Sequence, residues 1–149
     1  MQSRVGRLVL AVGLMTMMLA GCGKEAGRVP LNAEGAKDAS FNLKAGDVSF
    51  WTAIDIDWEG DGNLFYQVDL VQNGKTVGTT KCDPLGQMSV KTSWVSTDLG
   101  SKHSRSGNGK MGCDVKLAAG GPTTVKVNLA WVHKPATVQL RQADLVVKQ

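Results

Sequence analysis

The sequence predicts an all-β fold: an antiparallel β-sandwich, or a jelly-roll-like variant of it, with seven to eight strands and one disulfide. Three observations carry this. Apolar and polar side chains alternate with a period of two through most of residues 40–149. Turn-forming residues recur at short intervals between the alternating runs. No run of useful length carries the three- and four-residue spacing of an amphipathic helix. One apolar and one polar face per strand is what two packed sheets with wet outer surfaces require.

The elements follow in order. A first strand is expected around Phe41. From Val48 to Trp58, the residues Val48, Phe50, Thr52, Ile54, Ile56 and Trp58 alternate with Ser49, Trp51, Ala53, Asp55 and Asp57. Glu59-Gly60-Asp61-Gly62 turns the chain, and Leu64, Tyr66, Val68 and Leu70 mark the next strand. Asn73-Gly74 is a strong hairpin signal, because both residues tolerate positive φ. Val77 to Cys82 returns from it. Asp83-Pro84-Leu85-Gly86 breaks the chain before Met88 to Thr97. Residues 100–110, GSKHSRSGNGK, read as a long polar loop. Met111 to Leu117 and Val125 to Trp131 are further strands, and Ala136 to Lys148 is the last, with a phase shift that predicts a bulge near Gln142.

Ahead of the alternating region stand two segments of different composition. Residues 1–21 begin with Arg4 and Arg7, continue as the apolar run Leu8 to Leu19, and end in small residues. That is the layout of an export signal, and the run is short of the ~20 apolar residues that span a bilayer. The alternatives are an uncleaved anchor and a plain secretory signal with a chance cysteine. Leu19-Ala20-Gly21-Cys22 resembles the lipobox of bacterial lipoproteins. The resemblance covers residues 1–22 and implies cleavage after Gly21, a diacylglycerol thioether on Cys22 and a fatty-acylated (palmitate-type) amino terminus. Gly23, where an inner-membrane-retained lipoprotein tends to carry aspartate, implies a place at the outer membrane of a two-membrane envelope. Residues 22–39 then read as the lipidated cysteine and a flexible tether with a reach of about 20–25 Å, leaving 40–149 as the domain.

Of the 149 residues, 17 are Lys or Arg and 13 are Asp or Glu. Two of the basic residues lie in the signal, so the exported part carries 15 against 13, a net of +2. Mixed charge of that size and predicted export both argue against nucleic acid as a partner. With Cys22 assigned to lipid, Cys82 and Cys113 remain, and in an oxidising compartment a single disulfide is expected between them. Two distant cysteines without CxxC or HxxxH spacing make a poor metal site.

Three groups are candidate sites. Asp55, Asp57, Glu59 and Asp61 fall at alternate positions into a turn, where crowded carboxylates suit Ca²⁺, although the EF-hand pattern fails at its twelfth position, Val68; the other reading is a solvated face. Trp51 stands in the polar phase of its strand, either as an exposed platform for a sugar ring or protein, or beneath the N-terminal strand around Phe41 or in the seam between sheets. Lys102, His103, Arg105 and Lys110 give residues 100–110 a local positive excess that could steer an acidic partner. No cofactor is called for. His103 and His133 stand 30 positions apart without a triad pattern, and no G-x-S-x-G turn occurs. The sequence therefore points to a lipid-anchored cell-envelope protein whose sandwich is a non-catalytic binding or adaptor module for an envelope protein or glycan. A carbohydrate-binding module, with or without calcium, and a periplasmic inhibitor or immunity protein are the alternatives.

Overall fold

The computed structural model describes residues 23–149. The signal segment and Cys22 lie outside the described residues. Ten strands run in order: β1 Glu25–Val29, β2 Gly35–Leu43, β3 Gly46–Glu59, β4 Asn63–Gln72, β5 Lys75–Cys82, β6 Met88–Leu99, β7 Lys102–Met111, β8 Val115–Leu117, β9 Gly121–His133 and β10 Thr137–Lys148. One sheet has the order β1-β10-β3-β7-β6, with β8 pairing the start of β3; the other has the order β2-β9-β4-β5. All pairings are antiparallel. The fold is the β-sandwich the alternation predicts.

Its core is made by the inward phases. Val48, Phe50, Ile54 and Ile56 of β3 meet Leu64, Tyr66, Val68 and Leu70 of β4, Val125, Val127 and Leu129 of β9, and Ala143, Leu145 and Val147 of β10. Each fully buried side chain of this size contributes roughly 1.5–3 kcal/mol. The one phenol in the core is satisfied: Tyr66 Oη is 2.8 Å from Thr52 Oγ1 and donates to the Ala143 carbonyl at 3.0 Å. Burial holds that phenol protonated far above its ordinary range. The bulge expected near Gln142 is present as a register shift between Leu140 and Gln142. Asn73 and Gly74 both have positive φ and close the β4–β5 hairpin.

Cys82 and Cys113 are bonded, with their Cα atoms 5.4 Å apart, closing a separation of 31 residues. The bridge ties the end of β5 to the β7–β8 connection and so joins the two sheets along one side.

Two expectations need correction. The tether expected over residues 22–39 is not free where it is described, and the domain does not begin at 40: β1 pairs β10 from Glu25 to Val29, and β2 pairs β9 from Gly35. Asp144, 7 % exposed, accepts the Leu31 amide at 3.1 Å and Arg28 Nη1 at 3.3 Å, while the Ala143 amide donates to the Leu31 carbonyl. Residues 100–110 are not a loop either. Lys102–Met111 is a strand held between β3 and β6, and the chain turns only at Gly100-Ser101. These segments raise the count from seven or eight strands to ten.

Candidate functional site

Across an antiparallel ladder, paired residues share a face. On β3 the inward phase is Val48 to Trp58 at even positions, so its partners on β7, namely Gly109, Gly107, Arg105 and His103, also face inward. The outward phase pairs Asp55 with Ser106, Asp57 with Ser104 and Glu59 with Lys102. On β6 these rows continue into Val95, Thr97 and Leu99.

The four basic residues singled out in the sequence are therefore divided between two faces. His103 stacks on Trp58 with ring centroids 5.0 Å apart, and the Arg105 guanidinium lies 5.3 Å from the same ring. Asp98 binds both: Arg105 Nη1 and Nη2 donate at 2.9 and 3.2 Å, and His103 Nδ1 lies 2.6 Å from Oδ1. Arg105 first, then His103, hold the Asp98 carboxyl below the usual carboxylate range. On the outer face, Lys110 reaches Asp114 at 3.7 Å, and Lys102 is exposed. The basic group is thus no single patch, and Arg105 and His103 serve to brace the β6–β7 hairpin against Trp58.

The acidic row has a different occupant from the one its spacing suggested. Arg141, pushed outward at the bulge of β10, donates Nη2 to Asp55 at 2.6 Å and Nη1 to Asp57 at 2.8 Å. Arg141 first, and the Ser104 hydroxyl second, lower the Asp57 pKa, and the two carboxylates raise that of Arg141. Glu59 accepts from Ser101 Oγ at 3.2 Å. No group of three potential metal-ligating side chains exists among the described residues. The calcium reading of Asp55, Asp57, Glu59 and Asp61 is overturned, because a guanidinium stands where the cation would.

Trp51 is not an exposed platform. It is 3 % exposed and packs with Ala53 and Val146 on the outer face of its sheet, with Lys148 Nζ 3.8 Å from the ring centroid. The small side chains of Thr92 and Asn108 and the N-terminal Glu25 and Arg28 stand around it.

What sequence reasoning missed is the β6 edge. β6 pairs only β7, so its other side is unpaired, and nearly all of its residues are exposed. Three of the five large hydrophobic side chains exposed among the described residues lie on this one strand: Val90 at 36 %, Val95 at 61 % and Leu99 at 72 %. A bulge divides it between Thr92 and Val95, with Ser93 at φ 53°. Gly107 opposite has no room for a side chain, since a Cβ there would meet the Ser93 carbonyl at 2.5 Å. Beyond the bulge, the outer face holds a depression of about 400 Å³ across β10, β3, β7 and β6. Thr137, Gln139, Asp57, Glu59, Ser104, Lys102, Thr97 and Leu99 line it, with Trp58 and His103 completing it. Ser104 is small between larger neighbours, which makes the surface concave. The alternation of Met88 to Thr97 predicts Val90, Thr92 and Trp94 as its inward phase. Instead Val90 and Thr92 are exposed on the outer face, opposite Lys110 and Asn108, and Trp94 is half-buried. The bulge between Thr92 and Val95 keeps Val95, Thr97 and Leu99 on that outer face as well.

No protein-family model and no curated protein matches this sequence.

Proposed function

We propose that this is a lipid-anchored protein of the bacterial cell envelope, most consistent with the outer membrane, whose sandwich is a non-catalytic binding module, and that it takes an extended segment of an envelope protein along the free edge of β6. The observation that carries this reading is the exposure of Val95 and Leu99 on an unpaired edge strand. Edges of that kind are normally blunted by charge, proline or cover, because they template pairing with another chain. In strand addition, the main chain supplies the hydrogen bonds and alternate side chains enter pockets. The depression beside Leu99 supplies such pockets, with the Asp57 and Glu59 carboxylates, the Lys102 ammonium and the hydroxyls of Thr97, Ser104 and Thr137. Lys91 and the bulge at Ser93 limit promiscuous pairing over the lower half of the strand, which leaves Val95–Leu99 as the open stretch.

Site-specific photocrosslinking in cells tests the reading. A benzophenone side chain at Val95 or Leu99 should give one discrete adduct, and the same group at Val132, exposed on the other sheet, should not. The adduct at position 95 should be lost when Leu99 is changed to Lys. Equal adducts at 95 and 132, or none at 95 and 99, would reject this site.

A further inference from the structure

Charge is distributed unevenly along the length of the sandwich. The chain enters beside its own C-terminus: the Gln149 amide donates to the Lys24 carbonyl, and Gln149 Oε1 accepts the Lys44 amide. The turn between β2 and β3, the Asn73-Gly74 hairpin and residues 118–120 gather at this end, where Gln72 Nε2 donates to the Ala119 carbonyl and Gly120 packs against Leu43 and Ala45. Lys24, Lys44, Lys75 and Lys116 are exposed here, and Lys148 lies over Trp51 nearby. None of these five takes part in an ion pair among the described residues. Of the nearby carboxylates, Glu25 is held by Arg28 and Asp114 by Lys110, which leaves Asp47, across from Lys116. The opposite end mixes signs: Asp57 and Asp98 are held by Arg141 and by Arg105 with His103, and Glu59 stands across from the exposed Lys102.

We propose that this lysine-rich base is a docking surface for the anionic phospholipid headgroups of the membrane that holds the protein. The inference rests on the reading of Cys22 as the lipidated residue. Two observations select this occupant. The first described residue, Gly23, is at the base, so a lipid on the preceding residue brings the bilayer to this end and to no other. Unpaired lysines of one sign then face that surface, the arrangement by which juxtamembrane basic clusters bind anionic leaflets. With β1 pairing from Glu25, two residues separate the anchor from the sheet, too few to hold the base outside a Debye length of about 8 Å.

The test uses the full chain purified from membranes. Intact mass first reads the lipid on Cys22; a protein without it refutes the anchored reading directly. The lipidated protein is then placed in vesicles of phosphatidylcholine alone or mixed with phosphatidylglycerol, and lysine acylation rates are followed residue by residue. Lys44, Lys75 and Lys116 should react about fivefold more slowly on the anionic vesicles, and Lys37, Lys91 and Lys126 at unchanged rates. The protection should vanish near 1 M salt, where the Debye length falls to about 3 Å. Lys24, next to the anchor, should be shielded on both vesicles and reports anchorage alone. Equal rates for Lys44, Lys75 and Lys116 on the two compositions, with lipid present on Cys22, overturn the proposal, as does protection centred on Lys91 or Lys126.

Discussion

At the scale of single residues, the acid row of β3 shows how one side chain decides between two chemistries. Asp55, Asp57 and Glu59 have the alternate spacing that crowds oxygens together, and it is Arg141, displaced by one residue at a bulge in another strand, that turns the row into an ion-paired surface. Asp57 and Asp98 are both depressed from the ordinary carboxylate value by guanidinium partners. A group with a lowered folded pKa adds stability above its unfolded value, near 3.8, and that contribution is lost as pH falls through the lower folded value. Both carboxyls should therefore titrate below 3.8 when followed by carbon chemical shifts. Arg141→Gln should move Asp57 upward and leave Asp98 in place, and Arg105→Gln should do the reverse. If each variant shifts both, Arg141 and Arg105 are not the separate partners of Asp57 and Asp98. In the core, Tyr66→Phe strands the Thr52 hydroxyl and removes a donor from the Ala143 carbonyl. The expected loss is about 1–3 kcal/mol in denaturant unfolding with the slope unchanged; a loss below about 0.3 kcal/mol would contradict that account.

At the scale of elements, the strands legible in the sequence are those with one dry face and one wet face. β3, β4, β9 and β10 show it residue by residue, down to the bulge at Arg141. β7 does not, because Gly107 and Gly109 fill its inward phase under the β6 bulge and Met88, and serines and lysine fill the outward one; its backbone is satisfied by strands on both sides, which no side-chain pattern announces. β1 and β2 are edge strands, each paired on one side only, whose polar and small residues before Phe41 show no alternation; β1 is secured by Asp144, more than a hundred residues away. The candidate edge stayed hidden because an apolar phase in a strand reads as core whether or not a second sheet covers it. Asp144→Ala should leave the Leu31 amide without its partner and cost about 1–3 kcal/mol, with faster amide exchange confined to residues 25–31 and the adjoining part of β10. The Cys82–Cys113 bridge closes a loop worth roughly 3–4 kcal/mol in the chain-entropy model. Its double replacement by Ala should lower stability by that order and speed exchange first in β5 and the β7–β8 connection, while β9 and β10 keep their protection.

At the scale of the whole molecule, strand direction fixes what the proposed anchor and the β6–β7 hairpin could do together. β3 runs from Gly46 at the base to Glu59, paired with Lys102, at the far end. Fourteen residues at about 3.3 Å each give a span of roughly 40–45 Å. Leu99, the partner of Lys102 on β6, is carried at that distance from the entry of the chain. The flexible-tether reading predicted a domain wandering within its own reach. β1 is instead paired with β10 from Glu25, so under the proposed anchorage at Cys22 the sandwich would stand as a post, with its lysines toward the headgroups and its open edge held away from them. A spin label at Leu99→Cys, measured against labelled headgroups in the lipidated protein, should give a narrow distance distribution centred near 40 Å. Twenty or so Gly and Ser residues inserted between Gly23 and Lys24 should broaden that distribution without changing the melting temperature. The photocrosslink at Val95 should weaken in the same variant if the partner is itself fixed at a set height above the membrane. A distribution already broad in the parent chain would show that β1 does not hold the domain upright, and the post would have to be given up.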